Sequence, residues 1–598
     1  MEETNSSLVD FNLITIRITI ALVVFFGGGE RELYSSDSLM LVERSSLRNS
    51  LSTPNHVIDR RQIELSGKQS LLDFWDETIY AFTIGSSQMY INGRRTLIDI
   101  DTIPLAAIER IEINFNSSPI STNSMKASGY VNFILRESYE GTLVQLGVER
   151  PEQKGFDSEQ FTLLWGDVSE DDVILLTAEH KTLKEGRYDD RGYSRSLWKS
   201  GGNFAETRNV SFVGNTVFAL GGNFQDANGN LTKAVAIGNC RVEDGYTGKL
   251  KNPFGVTGDG CGFPWANSEW LTDRTEKNSV HLISTSLLDD TRQFSIETRF
   301  SNVSSSRIKA PAYGNFLLSA NAPAFTNFPL NIPTGSTVDT VDVYHQFIAN
   351  GNREDLSDTE EFSLNLGLTQ QLKDNLSWNT EFQYFSRRSN EIGNNYVNRS
   401  AAIAAVSSGR YDLHNPLSQA QTHRQAVEQI RLQLDRRKIL SEKFFRTELA
   451  GQNLPLNDYD LNWKVGVEVE IRKLRDIYDE HLYNQNVFGS GFEDLYAPKG
   501  ELRRQTVFAE LGLQTSDRIE TRLNFRTHRY AQFDLSIEGG LEGRYQLSDK
   551  INFRASWIKG SRPPEFFYTN GILFDIVNLT PASGLCIQGK SICQFNAL

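Results

Sequence analysis

The chain has 598 residues, more than one ordinary soluble domain holds, so several units or one large barrel are expected. Its net charge of −14, without any cluster of Lys or Arg, argues against a nucleic-acid partner. The 45 glycines, 16 prolines and 11% aromatic residues suit a turn-rich β protein. Low mean hydropathy excludes a helical membrane bundle but not a membrane barrel, whose strands are apolar only at every second position.

Taken from the N-terminus, the first feature is an apolar run from Ile18 to Phe26, ended by Gly27-Gly28-Gly29. Its length matches a signal-peptide core better than a spanning helix. Glu2, Glu3 and Asp10 outnumber the single Arg17 ahead of it and no A-x-A site follows, so residues 1–37 read as a degraded export signal and linker. A short apolar stretch, Leu39-Met40-Leu41-Val42-Glu43, comes next, and His56 to Gly67 follow. Three blocks then fall in order: Ile91-Asn92-Gly93-Arg94-Arg95, Ile103 to Glu112, and Gly129 to Arg136 with Asn132 inside it. Asn92-Gly93 supplies the positive φ angles of a tight hairpin turn. Pro104 can open a short helix, on which Ile108 and Ile111 share one face while Glu109, Arg110 and Glu112 point elsewhere. The bland alternative is an ordinary α+β unit with a salt-bridged helix.

In that order and spacing the three blocks resemble the plug domain of TonB-dependent outer-membrane receptors, whose pattern runs V-x-I-N-G-R-R, then I-P-x-x-A-I-E-R-I-E-V, then G-G-V-V-N-I-I-L-R. The resemblance implies a mostly β fold: an α/β plug at 51–140 followed by an antiparallel transmembrane β-barrel at 141–565. It makes residues 38–50 a TonB-box-like segment, with Leu39, Met40, Leu41, Val42 and Glu43 the candidate box that adds as a strand to the sheet edge of TonB. A linker with chance apolar residues is the competing reading of that segment. The implied partners are TonB with ExbB–ExbD, outer-membrane lipid and a small nutrient, with no cofactor. Cys240, Cys261, Cys586 and Cys593 lack metal-ligand spacing; given the resemblance they are read as disulfides paired within each set, with four unpaired thiols as the alternative.

From Gly141 onward apolar and polar residues alternate over roughly ten positions, the length of a tilted membrane-crossing strand. In 461–472, Leu461, Trp463, Val465, Val467, Val469 and Ile471 alternate with Asn462, Lys464, Glu468, Glu470 and Arg472. Segments 362–372 and 535–547 repeat this. Alternation alone does not separate a membrane barrel from a soluble sandwich. Loop lengths favour the barrel: short turns near 288–290, 373–375 and 548–550 alternate with long polar stretches near 180–277, 302–360, 387–427 and 473–502. The first two long stretches are the expected substrate contacts. Asn552 to Glu565 resembles a late barrel strand of the same receptors.

The chain departs from the family in three ways. The insert between Trp75 and Met89 is short, and 118–126 lacks the usual Tyr-Gly pair. Roughly fourteen strands are countable by pattern, against about 22 in plugged transporters, with 566–598 an irregular tail. The barrel is therefore expected to be truncated. There is no H-E-x-x-H, C-x-x-C, P-loop or G-x-S-x-G motif, so an enzyme is not expected. Asp226, Asn228 and Asn230 imitate a calcium loop, but Leu231 stands where Gly is needed and Ile237 where Glu is needed. Energy-coupled uptake of a scarce nutrient is the expected function, with a passive channel or non-functional remnant second and a soluble glycan-binding β protein third.

Overall fold

A computed structural model describes residues 56–68, 70–75, 88–95, 97–114, 130–212, 214–238, 240–456, 459–489, 499–516, 518–531, 535–548 and 551–559. The export-signal segment, Leu39–Glu43, Gly129, the 118–126 loop, Cys586 and Cys593 lie outside the described residues. The fold is mostly β: a small α/β unit where the plug is expected, followed by a large antiparallel sheet where the wall of the barrel is expected.

The plug begins with β1 (His56–Ile58) and helix α1 (Arg60–Leu65). A reciprocal capping box starts α1: the Gln62 amide donates to Asp59 Oδ1 at 2.8 Å, and the Asp59 amide donates to Gln62 Oε1 at 2.9 Å. After α2 (Leu71–Phe74) come β2 (Gln88–Ile91), β3 (Arg94–Arg95), β4 (Ile108–Asn114) and β5 (Tyr130–Leu135). The sheet order is β1-β4-β5-β2-β3, with β2 parallel to β5 and the other pairs antiparallel.

One expectation is corrected here. Residues 108–114 are strand, and the helix after Pro104 is a single 3-10 turn, Leu105–Ala107. The reason is a register irregularity between Ile108 and Arg110, where β4 bulges against β5. The extra residue restores Ile108 and Ile111 to the same buried face, and Ile113 follows at strand spacing. A bulge thus imitates the i, i+3 spacing of a helix.

The large sheet is a meander of consecutive antiparallel neighbours: β6 (Gly141–Glu149), β7 (Ser158–Val168), β8 (Asp172–Leu183), β9 (Arg274–Asp289), β10 (Arg292–Pro311), β11 (Asn352–Lys373), β12 (Leu376–Asn398), β13 (Arg431–Leu456), β14 (Tyr459–Tyr478), β15 (Lys499–Ser516), β16 (Ile519–Tyr530), β17 (Ser536–Ser548) and β18 (Ile551–Lys559). A short strand, Val487–Phe488, pairs additionally with β12. Connections at one rim take two or three residues, as at 169–171, 290–291 and 374–375, while the other rim carries 184–273, 312–351 and 399–430. The strands run further toward that second rim than alternation indicates: β10 continues to Pro311, β11 starts at Asn352 and β12 reaches Asn398. At the start of β11 both faces are polar, Asn352-Arg353-Glu354-Asp355, so the period-two signal stops there although the hydrogen-bond ladder does not.

The wall is inverted relative to a soluble sandwich. On β14, Val465, Val467 and Val469 are each about two-fifths exposed, while Lys464, Glu468, Glu470 and Arg472 are under one-tenth exposed. Neighbouring strands agree: Val507, Leu511, Leu523 and Phe525 face outward, and Arg504, Glu510 and Arg526 are buried. An apolar outer face and a polar inner face is the arrangement of a lipid-embedded barrel. On the inner side, Leu164, Leu175 and Ile283 of the wall join the apolar core of the plug with Ile91, Ile108 and Phe133.

The long connections fold on each other. A four-stranded sheet, ordered Ala234–Ala236, Asn215–Ala219, Thr340–Gln346, Tyr313–Ser319, packs against helices α3 (Arg399–Ser407) and α4 (Gln421–Ile430). Its core includes Val217, Phe316, Val341, Val343, Val406 and Ile430. Cys240 and Cys261 form a disulfide beside it, with Cα atoms 5.5 Å apart.

Candidate functional site

The hairpin β2–β3 carries the turn Asn92-Gly93, with φ of 50° and 76°. Both residues are tied to β5. Asn92 Oδ1 accepts the Leu135 amide at 2.9 Å, and the Gly93 amide donates to Asn132 Oδ1 at 2.9 Å. Asn132 Nδ2 donates to Glu112 Oε2 at 3.1 Å, and Arg110 Nε donates to Glu112 Oε1 at 2.9 Å. Asn92, Gly93, Arg110, Glu112 and Asn132 therefore form one polar chain across the plug sheet. Pro104 is buried and precedes the 3-10 turn, whose Leu105 carbonyl accepts from Arg60 Nη1 at 2.8 Å. Glu109 stands outside the chain, half exposed and 3.8 Å from Arg136.

The tight turn aims the next residues at the wall. Arg94 Nη1 is 2.8 Å from Glu297 Oε2 of β10, and Arg94 Nε pairs with Glu381 of β12. Burial alone would lower the Arg94 pKa, and the pull of Glu381 and then Glu297 outweighs it, so the guanidinium is raised and stays charged. Arg95 lies on the same hairpin. Further along, Arg387 Nη2 donates to the Leu97 carbonyl at 2.8 Å, and Arg299 Nη2 donates to Thr102 Oγ1 at 2.8 Å. Glu361 ties these together, accepting from Arg387 Nε at 2.6 Å and from Arg299 Nη2 at 3.2 Å. Lys277 Nζ bridges Glu179 at 2.9 Å and Asp101 at 3.7 Å. Burial raises the Asp101 carboxyl, with Lys277 opposing it. Segment 94–102 is thus pinned to the wall by the Arg94 ion pairs, by hydrogen bonds from Arg387 and Arg299, and by the Lys277–Asp101 pair. None of those wall residues stands out in the sequence; each is a polar residue at an inward position of an alternating strand.

No protein family model matches the chain, and no curated protein matches it. Among solved structures, it is similar to a variant of the ferric enterobactin receptor PfeA from Pseudomonas aeruginosa (TM-score 0.45, 12% identity, covering 80% of this chain and 55% of that one). It is also similar to the siderophore receptor PirA from Acinetobacter baumannii (0.48, 12%, 85% and 61%) and to the ferric-catecholate import receptor Fiu from E. coli K12 (0.39, 11%, 85% and 74%). The chain spans a little over half the length of the first and three-fifths of the second.

Above the pinned segment lie two cavities. One, about 400 Å³, is lined by Leu97, Asp99 and Thr102 of the plug and by Glu361, Arg387 and Lys438 of the wall. The other, about 350 Å³, lies among Lys309, Asp355, Glu391, Tyr396 and Arg436. Ser305, Ser357 and Glu391 line both, so the cavities meet at a polar waist. In the second, Tyr396 Oη donates to Asp355 Oδ1 at 2.8 Å, and Arg436 clamps Asp476 with two bonds of 3.0 and 2.8 Å. Donors and acceptors of both signs converge here on a volume suited to a small polar molecule. Asp226, by contrast, closes a turn: its Oδ1 accepts from the Asn228 and Asn230 amides at 2.9 and 2.8 Å.

Proposed function

We propose that this chain forms the plug and part of the wall of a TonB-coupled outer-membrane receptor that takes up a scarce nutrient. The observation that carries the reading is the inverted wall, apolar outside and charged inside, with Arg94 and Asp101 of segment 94–102 ion-paired to residues of its inner face. Nutrient enters from the long-loop rim and rests in the paired cavities against Leu97, Asp99 and Thr102. Leu39–Glu43 adds as a strand to TonB, which draws on the ExbB–ExbD complex to pull the plug away from the wall. The solved structures it resembles are receptors for ferric enterobactin, for a siderophore and for ferric catecholates; the cavity chemistry here supports a small polar ligand without selecting among nutrient classes.

Among the described residues, β6 and β18 each pair on one side only. In lipid such edges leave N–H and C=O groups without partners, so a working wall closes them with further strands. A passive channel or a remnant is the second reading, favoured by that same pair of edges. Two measurements separate the readings. Heat-modifiable gel mobility of the outer-membrane fraction reports a compact barrel. Deleting 39–43 abolishes uptake in a coupled receptor and leaves a passive channel unchanged; an unchanged rate would sink the coupled reading.

A further inference from the structure

The folded long connections carry a second surface, separate from the cavities. Their four-stranded sheet turns one face to the core through Val217, Val341 and Val343 and the other face outward. By register, Phe218 stands beside Asp342 and Asp342 beside Leu317, with Tyr344 two residues further on the same face. Phe212 and Phe254 complete a ring cluster. The Phe218 and Tyr344 centroids are 5.2 Å apart at 75°, and Phe254 lies 5.7 Å from each. Phe254 is 54% exposed and Leu317 59%, an unusual amount of apolar surface to leave in water without a partner. Phe254 is also held in left-handed backbone at φ 52°, next but one to Asn252 at φ 54°. A non-glycine residue there costs on the order of 1 kcal/mol. That backbone places the ring against Phe212, Phe218 and Tyr344 with one side left open to solvent.

The charge on this face is a carboxylate. Burial raises the Asp342 carboxyl, with the neighbouring Tyr344 hydroxyl opposing it, and its buried Oδ1 accepts no hydrogen bond among the described residues. Among those residues no Lys or Arg forms an ion pair with it. Ring faces are themselves electronegative, so carboxylate and rings together select a cation. An arginine would need both carboxylate oxygens for its fork, and Oδ1 is buried. A primary ammonium is compact and strongly hydrated, a poor match to aromatic faces. A cation jacketed in methyl groups meets both requirements.

We propose that Phe212, Phe218, Phe254 and Tyr344, with Asp342 at their edge, bind the quaternary ammonium group of a small organic ligand. The test is calorimetric titration of the purified chain, in maltoside detergent free of phosphocholine, with choline and with its neutral isostere 3,3-dimethylbutan-1-ol. Choline is expected to bind saturably and the isostere about tenfold more weakly or less. Asp342→Asn is expected to weaken choline by about tenfold, and Phe254→Ala by several-fold, with the thermal unfolding midpoint unchanged. Equal binding of choline and the isostere, the absence of saturable choline binding, or an unchanged affinity in Asp342→Asn overturns the proposal. The choline-against-isostere comparison uses the unaltered protein, so it stands even where a variant fails to fold.

Discussion

Arg94 Nη1 lies 2.8 Å from Glu297 Oε2, joining residues 203 positions apart in sequence across the boundary between plug and wall. Glu381 holds the same guanidinium from a different strand, and all three side chains are about one-tenth exposed or less. Arg94→Ala leaves two carboxylates facing each other in a buried site. Removing one partner of such a group costs about 3–5 kcal/mol, more than the pair contributes when intact. The variant should loosen the plug, seen as faster hydrogen exchange of the β2 and β5 amides in the intact chain. Exchange at the wild-type rate would remove Arg94 from the docking role.

The turn that places Arg94 makes its own prediction. Asn92 tolerates φ 50° because its short side chain bonds Leu135 instead of crowding its own carbonyl. Asn92→Ala loses that bond and keeps the strained angle, and should cost about 1–3 kcal/mol. Asn92→Gly relieves the angle while losing the bond, so it should fall between the two. Limited proteolysis of the plug reports the ranking; Ala equal to Gly would mean the backbone angle carries no part of the cost.

The inverted wall predicts a depth-dependent penalty. Val467 is 42% exposed, so in a water-soluble sandwich Val467→Arg would be close to neutral. Facing hydrocarbon near the midplane, it should cost about 2–4 kcal/mol. Equilibrium folding of the two proteins into lipid vesicles measures the difference. A near-zero cost would contradict the lipid-facing assignment of β14.

How much of this was legible follows from where each signal is stored. The Asn92-Gly93 turn is local chemistry and is readable from two residues. Val465, Val467 and Val469 store their signal in period two, which survives wherever one face of a strand is apolar and the other polar. The β4 segment misleads, because its bulge gives Ile108 and Ile111 a helical spacing. The module built from the long connections is not readable. Asn215 bonds the Leu413 carbonyl 198 residues away and faces His345 130 residues away, and no local pattern encodes such pairings. Its one local trace is the α4 spacing of His423, Ala426, Val427 and Ile430, all buried on one helix face.

That module is also stapled covalently. The Cys240–Cys261 bond closes a loop across 21 positions, which by chain-entropy reasoning contributes about 3 kcal/mol. Cys240→Ser with Cys261→Ser should lower the module's stability by that order while leaving the wall's hydrogen-exchange protection intact. The reduced wild-type protein should behave the same way. A cooperative loss of wall and module together would show that the two unfold as one unit.

His345 gives the module a pH response whose sign can be worked out. Its Nδ1 lies 3.1 Å from Asn215 Oδ1, which can only accept, so Nδ1 carries the proton. Nε2 then accepts from the Tyr411 hydroxyl at 2.9 Å, while Phe347 packs edge-on and His423 stands nearby. Burial, with a smaller push from His423, lowers the His345 pKa from 6.5 to about 3, and burial lowers His423 as well. Above pH 6.5 neither folded nor unfolded chain protonates this ring, and stability is independent of it. Below 6.5 only the unfolded chain takes up the proton, so the folded module loses up to roughly 1.4 kcal/mol per pH unit until the folded value is reached. His345→Gln should flatten that slope by about one proton between pH 6 and 4. The check is the unfolding free energy of the wild type and variant at several pH values, followed through amides 215–219 and 340–346. Parallel curves would show that the acid sensitivity arises elsewhere, for instance at His423 with Asp412 beside it.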